Sequence, residues 1–259
     1  MEFRQFGRTG LKVSAVGFGC WEIGGTYGRI DESQFQRAVA QAIDSGINCF
    51  DTAEAYGMGV SEEALARALG GRRNNVVIAT KFGVGYEEMP NRRDSSRERV
   101  LASIDKSLQR LRTDHVDVYL VHWPDPNTPL DETMRALDDV VRQGKVRFIG
   151  VSNFRLAQIE ECARFRRIDV VQYAWNMFDR RMQAEIFPYC AAQQIARHRG
   201  ASRCRPAGGR RGGRRRLHKG AVGSNRNRAC GQLCESRSAG RSGRTSGAVL
   251  SFIIWLFNR

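Results

Sequence analysis

The seven cysteines of this chain (positions 20, 49, 162, 190, 204, 230 and 234) form no C-x-x-C pair, and nothing at the N-terminus resembles a secretory apolar core. A reduced, cytoplasmic setting is therefore the expectation, and the length of 259 residues excludes a small disulfide-framework fold. Long hydrophobic runs are also missing. The longest, residues 249–257 with one serine, falls short of the roughly 20 residues that a bilayer-spanning helix needs, so no membrane is expected as a partner. Acidic residues are scarce in one region only: from 196 to 259, Glu235 stands alone against 16 Lys and Arg. The net charge of +15 therefore belongs to the last quarter, and residues 1–195 are neutral, with 26 basic and 26 acidic side chains.

What is present is a chain of 259 residues, 41% hydrophobic, long enough for one full-sized domain with a large core. Over 1–195, short β-rich runs alternate with segments of helical period, which is the signature of βα units and hence of a parallel sheet. Residues 3–6 and 11–14, joined by Gly7-Arg8-Thr9-Gly10, predict a hairpin ahead of the first unit. Strands are expected over 15–19, 48–51, 76–80, 116–121, 146–151 and 170–173. Helices are expected from Asp31 as N-cap to Gly46, from Ser61 as N-cap to Gly70, and over 96–111, 130–143, 156–163 and about 182–194. No G-x-G-x-x-G follows the first strand, so six such pairs favour a (β/α)8 TIM barrel over an open doubly wound sheet. The expected fold is thus α/β, of (β/α)8 TIM-barrel lineage but incomplete. It consists of the hairpin plus about six βα units over 1–195, then a disordered basic tail over 196–259.

Four side chains with chemistry fall at or just after the ends of three successive strands: Asp51 and Tyr56, Lys81, and His122. In a parallel barrel those ends share the face on which active sites are built. A tyrosine at its usual pKa of about 10 is a reluctant proton donor. A nearby lysine is expected to lower that value, a carboxylate such as Asp51 to hold the lysine, and His122 to donate to a polarised carbonyl oxygen.

Four stretches resemble the aldo-keto reductase superfamily, in the style of its bacterial stress-type and potassium-channel-β-like branches. They are Gly46-Ile47-Asn48-Cys49-Phe50-Asp51-Thr52-Ala53-Glu54-Ala55-Tyr56-Gly57, then Ala79-Thr80-Lys81-Phe82, then Asp117-Val118-Tyr119-Leu120-Val121-His122-Trp123-Pro124, and 144–154, ending Gly150-Val151-Ser152-Asn153-Phe154. The resemblance implies a catalytic tetrad of Asp51, Tyr56, Lys81 and His122, with Tyr56 protonating an aldehyde or ketone oxygen while NADPH delivers hydride. It implies Ser152, Asn153 and Gln172 at the nicotinamide carboxamide, and Gly19, Trp21 and Asp51 beside the cofactor. It also implies an aromatic mouth for a small carbonyl substrate, for which Trp21, Tyr27, Tyr56 and Trp123 are nominated. A non-catalytic, nucleotide-sensing role like that of the channel-β relatives is the alternative.

Residues 196–247 contain no Phe, Tyr or Trp and keep neither a 2- nor a 3.6-residue apolar period. The expectation is that strands seven and eight are missing and that strands one and six are open edges. The family's pyrophosphate and 2′-phosphate contacts would fall in this segment, which implies weak NADPH binding and impaired activity. Three readings of the tail stand side by side. The first is out-of-frame translation: the codons of Ala196-Arg197-His198-Arg199-Gly200-Ala201, taken one nucleotide later, permit Gly-Ile-Gly-Val, the expected start of a seventh strand. The second is an arginine/glycine arm at 208–216 for nucleic acid, against which stands the lack of aromatic stacking platforms from 196 to 251. The third is a metal site at Cys204, His218, Cys230 and Cys234, whose spacing fits no zinc template, so no metal is expected.

Overall fold

The computed structural model describes residues 1–25, 31–86, 89–176, 179–200 and 254–256, all within the unit made of Met1–Ser202 and Phe252–Arg259. The expected hairpin is there: β1 (Phe3–Gln5) and β2 (Lys12–Ser14) pair antiparallel. The βα units follow as β3 (Val16–Gly19), α1 (Glu32–Asp44), β4 (Cys49–Asp51), α2 (Val60–Leu69) and β5 (Val77–Phe82). A small antiparallel hairpin, β6 (Val84–Tyr86) and β7 (Met89–Arg93), precedes α3 (Arg97–Leu111). Then come β8 (Val116–Val121), α4 (Leu130–Arg142), β9 (Val146–Ser152), α5 (Leu156–Phe165), β10 (Val170–Ala174), α6 (Ile186–Ala192), β11 (Ala196–Gly200) and β12 (Ile254–Leu256).

Seven strands pair in parallel in the order β11-β10-β9-β8-β5-β4-β3, and the sheet curls as a half-barrel with its helices packed against it. The apolar runs explain this. All six residues of β5 and of β8 are buried, because each strand meets a core on both faces. Ile78, Phe82, Tyr119 and Val121 join Phe35, Val39, Leu65, Ile104 and Leu137 from the helices. Val77, Ala79, Val118 and Leu120 face an inner cluster with Val170 and Ala196, which Phe6 and Val13 of the hairpin region close.

Asp31 caps α1 as expected, its carboxylate accepting the N–H groups of Ser33 at 2.7 Å and Gln34 at 3.2 Å. Ser61 does not cap α2. The cap position is Gly59, at φ +95°, while the buried Ser61 hydroxyl donates to the Cys20 carbonyl at 2.7 Å and lies 2.8 Å from the Thr52 hydroxyl. Lys81 does not end its strand, which runs one residue further to Phe82. The hairpin of β6 and β7 was not foreseen.

The expected loss of strand seven is corrected. Residues 196–200 form β11, with Val170 opposite Ala196 and Gln172 opposite His198. Ala196 and His198 are buried, and the alternate Arg197 and Arg199 are half-buried, their guanidinium groups lying over the rings of Phe187 and Trp175. Arginine content resembles a solvated tail, but here it supplies the outer face of a strand. The expected open edges of strands one and six are corrected too, since β12 pairs antiparallel with β3, and β11 pairs with β10. The rest of the tail, including residues 208–216 and Cys204, His218, Cys230 and Cys234, lies outside the described residues. No helix of the described residues is long and apolar enough to cross a membrane.

Candidate active site

β4 ends at Asp51, and the next residues turn out of the sheet so that Tyr56 comes back over the strand ends. Two glycines make this turn possible. A Cβ on Gly24 would stand 2.7 Å from the backbone of both Gly57 and Tyr56, and one on Gly57, at φ +62°, would stand 2.8 Å from Gly24. The segment after β3 is thereby pressed against the Tyr56 loop, and the Trp21 and Tyr56 rings lie 6.1 Å apart.

Lys81 is buried to 0% exposure, and its ammonium has three partners. It donates to Asp51 Oδ2 at 2.8 Å, to the Thr52 carbonyl at 2.7 Å and to the Tyr56 hydroxyl oxygen at 3.1 Å. All three N–H groups are thus assigned. Burial disfavours the ammonium, but Asp51 and Tyr56 outweigh it, and the lysine pKa moves upward.

The expectation for Tyr56 is corrected in sign. Burial pushes its phenol above the usual value of 10, and Lys81 only moderates that rise. The phenol is therefore neutral at ordinary pH. Because its oxygen accepts from Lys81, its own proton is available to another acceptor.

His122 follows β8 with its ring edge-on to Tyr56, centroids 5.8 Å apart. Burial and the Lys81 charge push its pKa down to about 3, which makes it a neutral imidazole. The tetrad read from the sequence is therefore brought together.

Gly19 pairs with Asp51 at the end of β3. Ser152 donates to the Gln172 backbone carbonyl at 3.0 Å, and Asn153 Nδ2 donates to the His122 carbonyl and to the Ser152 hydroxyl, both at 3.0 Å. Asn153 sits at φ +65°, a conformation that asparagine tolerates better than most residues. Gln172 Nε2 donates to Asp51 Oδ1 at 2.8 Å, so these three amide and hydroxyl groups adjoin the tetrad. No hydrogen bond among the described residues engages Asn153 Oδ1 or Gln172 Oε1. Both are acceptors suited to the –NH2 of a carboxamide, so the donor set fits a nicotinamide. Trp123 is 39% exposed and carries the Arg93 guanidinium 4.9 Å from its ring centre, with no described contact to Tyr56. Tyr27 lies outside the described residues.

Sequence reasoning missed three participants. Glu54, 5% exposed, accepts the Gly83 N–H at 2.9 Å and pairs with Arg99 at 2.8 Å, which ties the Tyr56 loop to the end of β5. Gly24 carried no signal beyond belonging to a Gly-Gly pair. His198, 3.0 Å from Gln172 Nε2, was hidden among arginines, and its only sequence signal is that Ala196, His198 and Gly200 alternate with Arg197 and Arg199.

A model of the aldo/keto reductase family matches residues 15–197. The chain is 37% identical over 208 residues to the aldo-keto reductase YhdN of Bacillus subtilis, covering 79% of this chain and 63% of that one. It is 36% identical over 199 residues to a probable voltage-gated potassium channel subunit beta of Oryza sativa, covering 73% and 60%. An aldo-keto reductase of Bacillus halodurans in its holo form superposes with a TM-score of 0.70 at 32% identity, covering 76% of this chain and 65% of that chain. A glycerol dehydrogenase of Gluconobacter oxydans gives 0.67 at 37% identity, covering 72% and 59%. The chain spans about three fifths of the length of these curated relatives.

Proposed function

The chain belongs to the aldo/keto reductase family, and on that premise we propose that it reduces aldehydes or ketones to alcohols with NADPH, Tyr56 acting as general acid. The carrying observation is the division of labour at Lys81: its three N–H groups go to Asp51, Thr52 and Tyr56, which orients the phenol oxygen and leaves the phenol proton to give.

Reduced nicotinamide held at Ser152, Asn153 and Gln172 would supply hydride to the carbonyl carbon. The protein's part is proton delivery and polarisation. His122, neutral because burial holds its pKa at about 3, donates one N–H toward the carbonyl oxygen without adding a charge that would repel Lys81. Tyr56 passes its proton to the same oxygen. The phenolate left behind faces the ammonium that already bonds it, so the charge that develops is matched in place. Trp21, beside Tyr56, would form one wall of the substrate site.

The test is NADPH oxidation by the purified chain with a panel of small aldehydes and ketones, followed by near-ultraviolet absorbance. Turnover that Tyr56→Phe abolishes, with NADPH binding retained, is the expected result. Binding without turnover in the unsubstituted chain would favour the nucleotide-sensing role, and absence of both would overturn the reading. An out-of-frame origin of the segment from about residue 196 onward belongs to the same proposal, and sequencing the coding DNA between Gln193 and Arg203 decides it.

A further inference from the structure

Gln172 and His198 are register partners on β10 and β11, both buried, with Gln172 Nε2 3.0 Å from His198 Nδ1. The same Nε2 lies 2.8 Å from Asp51 Oδ1. These two distances together determine where the protons are. Exchanging the nitrogen and oxygen of the Gln172 amide would set two acceptors against each other at the carboxylate, so Asp51 fixes the amide with Nε2 toward it. One Nε2 proton then points to Asp51. The other lies on the line to His198, whose Nδ1 must therefore be a bare lone pair, the ring proton being on Nε2.

We propose that His198 is a positioning residue: as an obligate Nδ1 acceptor it locks the Gln172 amide, and through it the Asp51 carboxylate. Asp51 is then gripped from both sides, Oδ2 by Lys81 at 2.8 Å and Oδ1 by Gln172. Gln172 has no N–H left to offer, so its remaining group toward a ligand is a carbonyl oxygen. That selects a ligand N–H donor, such as a carboxamide –NH2, over a ligand acceptor.

An imidazolium would place an Nδ1–H against an amide N–H. The groups packed around the ring disfavour it. Lys81 of β5 repels it, Asp51 of β4 attracts it from 3.9 Å, Gln172 of β10 opposes it, and Phe6 covers it with ring centroids 6.4 Å apart. Burial adds to the Lys81 charge and outweighs Asp51, and the histidine pKa falls to about 4.

The kinetic consequence of this lock rests on the reductase reading; the tautomer does not. In 15N-labelled protein, long-range 1H–15N correlation, with His198→Asn used for assignment, is expected to show a neutral His198 protonated on Nε2 from about pH 6 to about pH 8. An Nδ1–H tautomer or an imidazolium in that range overturns the proposal whether or not the chain turns over. In kinetics, His198→Leu removes the acceptor and is expected to raise KM for NADPH about tenfold with a smaller change in kcat, the size of one lost buried hydrogen bond. His198→Asn, which returns an oxygen acceptor, is expected to recover most of that loss. Equal behaviour of the two variants, or an unchanged KM in His198→Leu, overturns the proposal. A chain with the Nε2–H tautomer but no turnover would sink the reductase reading and leave the lock standing.

Discussion

The Lys81 ammonium lies 2.8 Å from the Asp51 carboxylate, and each side chain is 1% exposed. A buried pair of this kind adds little over an apolar substitute, but removing one partner leaves a charge in the core. Lys81→Met is therefore expected to cost about 3–5 kcal/mol of stability along with all turnover. The double variant Lys81→Met with Asp51→Leu is expected to be more stable than Lys81→Met. Urea unfolding of the three chains checks this, and a double variant as weak as the single one contradicts it.

The contact between Gly24 and Gly57 leaves no room for a methyl group. Gly24→Ala forces a methyl group to 2.7 Å from the backbone of Tyr56 and Gly57, and the expected cost is about 1–3 kcal/mol, with kcat falling at least tenfold as Tyr56 is displaced. Gly71→Ala, where a Cβ meets nothing within 4 Å, is the control and should leave both quantities unchanged. Thermal unfolding and steady-state turnover measured side by side separate the two outcomes.

Glu54 is a shared acceptor for the Gly83 N–H and the Arg99 guanidinium. Glu54→Ala withdraws it from both, and a loss of about 2–4 kcal/mol is expected. The exposed pair of Arg67 with Glu63 at 3.6 Å offers the contrast, since Glu63→Ala should change stability by less than about 0.5 kcal/mol. Comparable losses in the two variants would refute the buried clamp.

Acid should weaken the fold through two histidines. His122 and His198 have folded pKa values of about 3 and about 4, against 6.5 when free. Below 6.5 the unfolded chain takes up protons that the folded chain refuses, so stability falls as pH drops from 6.5 toward 4 and then 3. Each histidine contributes a slope of up to about 1.4 kcal/mol per pH unit. Denaturation midpoints at about pH 7 and about pH 5 should differ, and His198→Leu should flatten the difference. A pH dependence identical in that variant would show that the ring is not buried neutral.

Lys81 and Tyr56 act at the other end of the scale. Both pKa values are raised in the folded chain, so their contribution is complete below the free values of 10.5 and 10.0. It is lost as pH climbs through the folded ones. Alkaline unfolding followed by circular dichroism should therefore begin above about pH 10, and at lower pH in Lys81→Met.

The chain's local patterns determined the hairpin, six parallel strands with their helices, and the tetrad. Runs such as Val116–Val121 and the 3.6-residue spacing of Val100, Ile104 and Leu111 encode burial directly. Strand ends in a parallel barrel necessarily share a face, so Asp51, Lys81 and His122 could be brought together on paper. Three things were decided by the tertiary structure alone. The sign of the Tyr56 shift depends on how much water is excluded, which no spacing reports. The glycine contact of Gly24 with Gly57 joins segments that are separate in sequence and depends on backbone approach rather than residue type. Ala196–Gly200 becomes a strand because β10 presents an unpaired ladder and Trp175 and Phe187 receive its arginines. A charged sequence takes that role only when a neighbouring edge and aromatic faces are already in place.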